Sequence, residues 1–401
     1  MTDLAFIESS EFNEFIKNNK DANTMQLRLK KFNNLSFDLE FALQQIECRK
    51  KAIGKIPELA EKLIYPTQVS IEQATSEVLA KFHANLFAGQ KTVLDLTCGL
   101  GVDDYYISEK VESVTTIDIN PTVADIAIRN FRELGRNNIT VHCQDSEVFV
   151  KTNSKHFDAC FADPSRRLGG DRNQRLYSLA DCVPSIQEVL PKLQETVNFI
   201  IVKASPMIDL TKTIKDFPGI TDVWILSVKN DCKELLFKIP FTTEQPHNDT
   251  SIHAINFDTE GMQEFTYTFG NTEKCPEQTP EAGNYLYVPN ASIMKAGAFN
   301  QVSKAYGLSI ISQNSHLFLS NNYLADFPGR KFQITHVFSL SKPDMKSLKA
   351  LTDAANISCR NFPLTPEKLR KRLKLKDGGN CYIFATTTAN KKNILLFCEK
   401  R

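Results

Sequence analysis

Acidic side chains follow three predicted strands in the second quarter of the sequence, at the point where each strand ends. Asp95 precedes a turn that contains Gly99 and Gly101, Asp118 ends the next apolar run, and Asp145 follows the third. Because the carboxyl ends of neighbouring parallel strands meet at one edge of a sheet, these groups should converge there, where glycines let the backbone approach a ligand. A carboxylate about 20 residues past the glycines suits a ribose diol, so the spacing predicts a nucleotide-like cofactor.

Each of these acids also has a structural explanation, since Asp frequently caps helices and starts turns. Their occurrence at three consecutive strand ends favours ligand binding. A dinucleotide cofactor fits less well, because the segment lacks the third glycine of the dinucleotide fingerprint.

The fourth apolar run ends in Asp163-Pro164-Ser165-Arg166. The Asp163 carboxylate and the Pro164 carbonyl are hydrogen-bond acceptors at the predicted end of this strand. The guanidinium of Arg166 can stack on a base. The alternatives, which the sequence leaves open, are that Asp163-Pro164 only ends the strand and that Arg166 is structural.

A cluster of arginines continues from this run, and a lysine ends the next one. At the mouth of a cofactor site they predict an anionic substrate, with phosphate as first choice. An ion-pair cluster that only stabilises the fold is the alternative. The residues are Arg166, Arg167, Arg172 and Arg175 in one loop, and Lys203 at the end of the fifth run.

The elements that must position these groups are read from hydrophobic periodicity. The first 90 residues predict helices, among them one that starts with a capping box at Ser70. Beyond them, strand–helix alternation predicts a parallel sheet with helices on both faces. The predicted strands are 92–96, 113–118, 140–143, 157–162, 199–203, 223–228 and 234–239. Residues 241–285 are rich in turn formers and predict a boundary.

Composition excludes several classes of protein. The 401 residues are 42% hydrophobic, and no apolar run approaches the roughly 18 residues of a membrane span. The amino terminus is acidic where a signal peptide is basic, and the ten cysteines are scattered singly. Seven histidines show no ligand spacing, so no metal is expected. We expect a cytoplasmic protein without a membrane partner; its oligomeric state is left open.

The net charge of +1 conceals a strong asymmetry. Residues 330–401 carry 16 Lys and Arg against five Asp and Glu, a net of +11, whereas residues 241–329 carry a net of −6. A basic helix in this tail predicts phosphate contacts, through Lys368, Arg370, Lys371 and Arg372. A solvated charged surface without a partner is the alternative.

Residues 90–240 resemble the class I S-adenosylmethionine-dependent methyltransferases, in the segment Asp95-Leu96-Thr97-Cys98-Gly99-Leu100-Gly101, the strand-end acids and the seven-strand order. The resemblance implies S-adenosylmethionine as cofactor. Its methionine part would contact Asp95, Thr97, Gly99 and Gly101, its ribose Asp118, and its adenine Asp145.

In methyltransferases with a D-P-P-Y motif, the Asp and the first Pro hold an exocyclic amine of a base and the aromatic ring stacks on that base. Asp163 and Pro164 match, while Ser165 replaces the second Pro and Arg166 the aromatic. Uracil C5 methyltransferases use a cysteine in a Cys-Asn-Pro context that is missing around Cys232, so we interpret Cys232 as an ordinary small residue.

Further segments resemble a bacterial group of methyltransferases with a THUMP-like C-terminal domain: Pro66–Ala74, Cys232–Leu236, Arg360–Leu364 and Lys376–Gly379. The group places a ferredoxin-like domain before the tail, and residues 285–329 resemble it. The expected domains are residues 1–88 (N-terminal helical region), 89–242 (class I methyltransferase domain), 243–329 (linker and ferredoxin-like domain) and 330–401 (basic THUMP-like domain).

The resemblance and the residues together predict an α/β protein: a Rossmann-like seven-stranded methyltransferase domain with a helical N-terminal region and small α+β C-terminal domains. THUMP domains proper bind RNA, so the predicted activity is methylation of a base nitrogen, an exocyclic amine, of tRNA or rRNA. The first alternative is a methyltransferase for a small anionic molecule or a protein. The second is a non-catalytic RNA-binding protein with a vestigial fold.

Overall fold

A computed structural model of the chain describes residues 4–32, 34–166, 179, 182–241, 249–259, 261–270 and 272–401. The chain divides into two compact units. The first comprises Met1–Thr221 with Leu236–His247, and the second Asp222–Leu235 with Asn248–Arg401.

The first unit begins with helices, as predicted. After a short 3-10 helix, Ala5–Glu8, these are α1 (Ser10–Asn18), α2 (Thr24–Arg28), α3 (Leu39–Ile53), α4 (Gln68–Gln73) and α5 (Glu77–Leu86). Phe12, Ile16, Leu43 and Ile46 are buried together in an apolar core, because their spacing places them on the inner faces of α1 and α3.

The capping box predicted at Ser70 is wrong. Thr67 caps α4 instead, since its Oγ1 accepts a hydrogen bond from the Ser70 N–H at 3.1 Å. Ala74 then takes an extended conformation, ψ 145°, which ends α4 before Ser76 starts α5. The predicted single helix is therefore two helices, and Thr75 lies in the break between them.

Alternating strands and helices follow. They are β1 (Thr92–Asp95), α6 (Val102–Ile107), β2 (Ser113–Asp118), α7 (Pro121–Glu133), β3 (Ile139–Cys143), α8 (Ser146–Thr152), β4 (Ala159–Ala162), β5 (Ser165–Arg166), β6 (Cys182–Val183), α9 (Ile186–Leu193), β7 (Phe199–Ala204) and α10 (Leu210–Asp216). The sheet order in this unit is β7-β4-β1-β2-β3, and all of these neighbours pair in parallel. Chain order reverses at β1 and β4, and such a reversal opens a ligand crevice at the carboxyl ends of the strands.

The second unit starts with β8 (Asp222–Val228), while β9 (Asp231–Pro240) contributes residues to both units. Two further strands, β10 (Ser251–Asp258) and β11 (Gly261–Thr268), form an antiparallel hairpin, and β10 pairs in parallel with β8. This hairpin lies within residues 241–285, where the turn formers predict a boundary and no strands. The buried residues of β10, such as Ile252 and Ala254, alternate correctly for a strand, but the turn formers that flank them obscure the pattern.

The remaining elements build a seven-stranded sheet of order β13-β14-β12-β15-β18-β17-β16. They are β12 (Tyr285–Pro289), α11 (Ala291–Ala296), α12 (Phe299–Tyr306), β13 (Ser309–Ile310), β14 (Phe318–Ser320), β15 (Gly329–Ser339), α13 (Lys342–Leu351), β16 (Ala354–Arg360), α14 (Pro366–Leu373), β17 (Lys376–Thr387) and β18 (Asn393–Lys400). Leu348 of α13 and Leu369 and Leu373 of α14 share one buried cluster with strand residues, so both helices pack on the sheet. Among the described helices, none combines the length and apolar character needed to cross a membrane.

Candidate functional site

The carboxyl ends of β1 to β4 surround a cavity of ≈ 390 Å³ in the first unit, a size in the ordinary range for small-molecule sites. Five acidic side chains line it: Asp103, Asp118, Asp145, Glu147 and Asp163. The described lining residues include neither Lys nor Arg. This charge distribution suits a ligand that carries positive charge and hydrogen-bond donors.

The two glycines of the predicted cofactor loop differ in what their backbones face. Gly99 has φ +54°, and a Cβ on it would meet nothing closer than the Thr97 carbonyl oxygen at 4.0 Å. Since Gly99 lines the cavity, that open space is available to a ligand. Gly101 has φ +75°, and its Cβ would lie 2.5 Å from Cζ of Phe131. Packing against α7 therefore requires Gly101, whereas Gly99 leaves room for a bound molecule.

Asp118, the last residue of β2, is hydrogen-bonded to the glycine loop. Its Oδ2 accepts from the Gly99 N–H at 3.1 Å and its Oδ1 from the Asn120 N–H at 2.8 Å. Burial raises the pKa of Asp118, and these two hydrogen bonds partly offset that effect. The carboxylate thus lies beside the loop at the position predicted for a ribose contact.

Asp145 shows the capping role that the sequence analysis kept as an alternative. Its Oδ1 accepts from the N–H groups of Glu147 at 2.8 Å and Val148 at 3.0 Å, which caps α8. Both bonds use one oxygen, so capping and a ligand contact through Oδ2 are compatible at this cavity-lining residue.

Asp95 lies below the cavity rather than on its surface. It is 1% exposed, and its Oδ1 accepts from the Thr97 N–H at 2.7 Å and from Thr97 Oγ1 at 3.0 Å. Burial, together with the neighbouring charge of Asp104, raises the pKa of Asp95 well above its usual value. Asp95 therefore reaches the cavity through Thr97, whose position it fixes.

The predicted substrate contact lies at the rim of the same cavity. Asp163 and Ser165 line it, and the Asp163 N–H donates to Thr97 Oγ1 at 2.7 Å. Pro164 is half-buried between them. Ser165 and Arg166 form β5, which pairs with β6. The structure therefore brings Asp163, Pro164 and Ser165 together beside the loop that holds Thr97.

A network of buried polar groups reaches Asp163 from elements that the sequence analysis did not connect. Lys203 Nζ lies 2.6 Å from Asp163 Oδ2, 2.8 Å from Thr75 Oγ1 and 4.0 Å from Asp103 Oδ2. Thr75 Oγ1 also donates to Asp103 Oδ2 at 2.5 Å, and His83 Nδ1 lies 2.8 Å from Asp103 Oδ1. We call these five residues the lysine network. No local pattern could reveal it, because its members come from five separate segments.

The charges of the network act strongly on Asp103. Burial alone raises its pKa, but the electrostatic interactions with His83 and Lys203 and the hydrogen bonds from His83 and Thr75 outweigh this effect and lower the pKa to about 2. Lys203 is 7% exposed, so its ammonium serves these carboxylates rather than a phosphate in solvent. The position differs from the phosphate contact predicted for Lys203.

The other predicted cationic contacts of this site lie where no geometry is described. Arg167, Arg172 and Arg175 fall outside the described residues, and for Arg166 the backbone alone is described. Their predicted substrate and phosphate contacts stay predictions. Among the described residues, no group of three His, Cys, Asp or Glu is arranged to hold a metal ion.

A second candidate site lies in the basic tail, within the second unit. Helices α13 and α14 border a groove of ≈ 490 Å³. Five basic side chains line it, Lys342, Lys346 and Lys349 of α13 and Arg372 and Lys374 at the end of α14, and all five residues are exposed. The three lysines stand at helical positions i, i+4 and i+7, a spacing that could have revealed this face of α13 in the sequence.

The basic helix predicted at 366–373 is confirmed as α14, but its cations are not equivalent. Lys368 and Lys371 are exposed and lie outside the groove. Arg370 is half-buried and pairs with Asp377 at 2.5 Å. Of the four predicted phosphate contacts, Arg372 alone lines the groove.

Three families of known domains match the chain. Residues 88–254 match a methyltransferase domain, residues 285–328 a ferredoxin-like domain, and residues 329–400 a THUMP-domain-like family. Their order agrees with the order expected from the sequence. No curated protein matches the chain.

Solved structures similar to the chain include one that spans nearly its whole length. A proposed methyltransferase from Porphyromonas gingivalis W83 is 30% identical with a TM-score of 0.86, and the match covers 97% of each chain. An rRNA methylase from Streptococcus thermophilus is 12% identical with a TM-score of 0.31, over 41% of this chain and 94% of the other. A proposed methyltransferase from Streptococcus mutans, in complex with S-adenosylhomocysteine, is 13% identical with a TM-score of 0.30, over 41% and 96%.

Proposed function

The chain belongs to the class I S-adenosylmethionine-dependent methyltransferases, in the group with ferredoxin-like and THUMP-like domains, and on that premise we propose that it methylates an exocyclic amine of a base in tRNA or rRNA. The observation that carries the choice of RNA is the basic groove between α13 and α14, which offers five cations to a polyanion. RNA presents such a charge along its whole backbone.

The cavity of the first unit fits S-adenosylmethionine, which carries a sulfonium, an ammonium, a ribose diol and an adenine amine. Acidic groups line the cavity, and Gly99 leaves open space where a side chain would project. In the proposed arrangement Asp118 holds the ribose hydroxyls and Asp145 Oδ2 accepts from the adenine amine. Thr97, Gly99 and Gly101 contact the methionine part, with Asp95 acting through Thr97.

Asp163 and Pro164 are the proposed acceptors for the target amine. When bound, S-adenosylmethionine supplies the methyl group: the S–CH₃ bond breaks as the N–CH₃ bond forms, S-adenosylhomocysteine leaves, and the amine releases its proton to solvent. The Asp163 carboxylate and the Pro164 carbonyl orient the amine and stabilise the positive charge that develops on nitrogen. The hydrogen bond from the Asp163 N–H to Thr97 Oγ1 keeps these acceptors in register with the cofactor loop.

The residues that follow complete the proposed substrate site. Ser165 is exposed and lines the cavity, where its hydroxyl can bond an edge of the base. We propose that Arg166 stacks on the base and that Arg167, Arg172 and Arg175 contact phosphates. Arg166→Ala should raise the KM for RNA by about tenfold, the effect expected when one base loses its stacking partner.

The proposed RNA contact in the tail rests on charge and exposure. The groove cations need no rearrangement to meet phosphates, because their side chains already face solvent. Phosphate contacts position RNA without reading its sequence, so they complement a site that selects one base. Lys368 and Lys371 extend the same surface along α14, while Arg370 is engaged with Asp377.

Labelled methyl transfer tests the choice of substrate. Purified protein and S-[methyl-³H]adenosylmethionine are incubated with total RNA from a strain that lacks this protein and, as a control, with RNA from the parent strain. The proposal expects label in the first RNA and little in the second, because its sites are already methylated there. Nuclease digestion and mass spectrometry should place the label on a base amine. Label that enters neither RNA overturns the RNA assignment and favours the small-molecule or protein alternative.

Charge removal tests the groove independently of catalysis. Lys346→Gln with Lys349→Gln removes two groove cations, and Lys391→Gln with Lys392→Gln removes two cations from the β17–β18 turn as a matched control. The association constant for tRNA falls with rising salt, and each lost phosphate contact should make that dependence less steep, by about 0.7 in the slope of log K against log salt. The groove variant should therefore bind tRNA roughly tenfold more weakly at 0.1 M salt. Equal losses in both variants would show that net charge, and not the groove, attracts RNA.

A further inference from the structure

We propose that Lys203 is a positioning residue that sets the orientation and the ionisation of the Asp163 carboxylate, and that Thr75, Asp103 and His83 hold Lys203 in place. The inference deepens the proposed function and rests on it for the role of Asp163. It assigns a purpose to a lysine that is almost fully buried.

The contacts of Lys203 support this role. Its ammonium is almost fully buried, at 2.6 Å from Asp163 Oδ2 and 2.8 Å from Thr75 Oγ1. A buried ammonium is stable only when hydrogen bonds and opposite charges compensate for lost hydration. The Asp163 side chain is 38% exposed, so the ion pair joins a fixed cation to a carboxylate that faces the cavity.

The surroundings of Lys203 compensate the charge of its ammonium and fix its position. Asp103 lies 4.0 Å away and bonds to Thr75, and His83, which is fully buried, contacts the other oxygen of Asp103. The Lys203 ammonium thus lies between the carboxylates of Asp163 and Asp103, and the His83 ring lies on the far side of Asp103. Lys203 is at the end of β7, where the direction of the strand already fixes its backbone.

Other ionisable groups near Asp163 act from β1 and α6. Asp95, at the end of β1, connects to Asp163 through Thr97, and burial raises the pKa of Asp95. Asp104, the neighbour of Asp103 on α6, bonds to Thr116 at 2.9 Å. Lys203 is therefore the cation in direct contact with Asp163 among the described side chains near the cavity.

This arrangement has two consequences for the acceptor. The ion pair with Lys203 engages Oδ2 of Asp163, so that oxygen faces β7 and the plane of the carboxylate is fixed. A neighbouring cation also favours the charged form of a carboxylate, so Asp163 remains an acceptor at pH values where an isolated, partly buried acid becomes protonated. An amine that must donate a hydrogen bond requires that form.

Lys203→Met tests the inference, because it keeps an unbranched side chain that is only one atom shorter and removes the charge. The midpoint of the acidic limb of the pH profile for methyl transfer should move to higher pH by about one unit or more. At neutral pH kcat should fall about tenfold or more, while the affinity for S-adenosylmethionine changes less than threefold. Lys203→Arg, which restores the charge, should return the acidic limb toward that of the wild type. An unshifted limb in Lys203→Met overturns the proposal.

A second measurement does not depend on activity. With ¹³C-labelled Asp carboxyls, the signal that disappears in Asp163→Asn identifies Asp163, and its titration midpoint should be higher in Lys203→Met than in the wild type. Thr75→Val should raise the midpoint less, since it releases Lys203 without removing it, and it serves if Lys203→Met does not fold. A midpoint that is the same in all three proteins contradicts the inference. A wild type that methylates no RNA would overturn the proposed function alone, because this titration stands without it.

Discussion

The backbone N–H of Asp163 donates a hydrogen bond to Oγ1 of Thr97 at 2.7 Å. Thr97 Oγ1 in turn donates to Asp95 Oδ1 at 3.0 Å, so one hydroxyl joins the end of β1 to the end of β4. Besides the backbone pairing of β1 with β4, this hydroxyl is the side-chain link that sets the position of Asp163 relative to the cofactor loop. In a reaction whose rate depends on alignment, that link has measurable consequences.

Replacing Thr97 with Val should impair both catalysis and folding stability. Valine keeps the shape of the side chain but leaves the Asp163 N–H without its acceptor, which costs about 1–3 kcal/mol. We expect kcat to fall about tenfold or more and the free energy of unfolding, measured by urea denaturation, to fall by that amount. Thr97→Ser keeps the hydroxyl and should retain most of the activity. Equal kcat values for the two variants would show that the hydroxyl does not align the site.

Asp145 offers a way to separate helix capping from cofactor binding. Asp145→Asn retains a capping oxygen for the Glu147 and Val148 N–H groups, but it places an amide donor where Oδ2 would accept from adenine. Calorimetry should show about tenfold weaker binding of S-adenosylmethionine with almost unchanged stability. Asp145→Ala should lose affinity and, in addition, about 1 kcal/mol of stability. Normal affinity in Asp145→Asn would assign this residue to the helix alone.

The parts of the fold that the sequence predicts are those encoded locally. Strand β1 is buried along three of its four residues and is followed by the glycine loop, so the local sequence predicts both its burial and its end. The hairpin of β10 and β11 was missed because its strand signal is embedded among turn formers. In addition, β10 pairs with β8, with strand β9 intervening in the chain, and this pairing is not apparent from the local sequence.

The candidate site divides in the same way. Asp118 and Asp163 stand at strand ends, and the topology of a parallel sheet suffices to bring them together. Lys203 also stands at a strand end, but its partner Thr75 belongs to the helical region, as does His83, which contacts Asp103. Nothing in the spacing of Thr75 and His83 points to β7. Long-range burial, which converts Lys203 from a surface cation to an internal one, exists only in the folded chain.

Asp103 should make the protein sensitive to acid. Its folded-state pKa of about 2 lies below the usual 3.8, so the stabilisation by its ionised form is complete above pH ~4 and is lost as the pH falls toward 2. By urea denaturation, the stability difference between wild type and Asp103→Asn should shrink by about 2 kcal/mol over that interval.

The adjacent acid is a matched control for this prediction. Burial raises the pKa of Asp104, so its protonated form is favoured on folding and its contribution is lost as the pH rises. The difference between wild type and Asp104→Asn should therefore change with pH in the opposite sense. Parallel pH dependence in the two variants would rule out opposite environments for these neighbours.

The two glycines of the cofactor loop should respond differently to the same added methyl group. In Gly101→Ala the new Cβ would lie 2.5 Å from Phe131 at a left-handed φ, so we expect a loss of about 3 kcal/mol of stability, partly restored by Phe131→Leu in the double variant. In Gly99→Ala the backbone strain alone should lower stability by about 1 kcal/mol, because the nearest described atom to the new Cβ, the Thr97 carbonyl oxygen, lies 4.0 Å away. Its methyl group, however, would occupy space in the cavity, and calorimetry should show at least roughly tenfold weaker binding of S-adenosylmethionine. Normal cofactor affinity in Gly99→Ala, or equal destabilisation by the two substitutions, would mean that the loop does not face the cofactor as we propose.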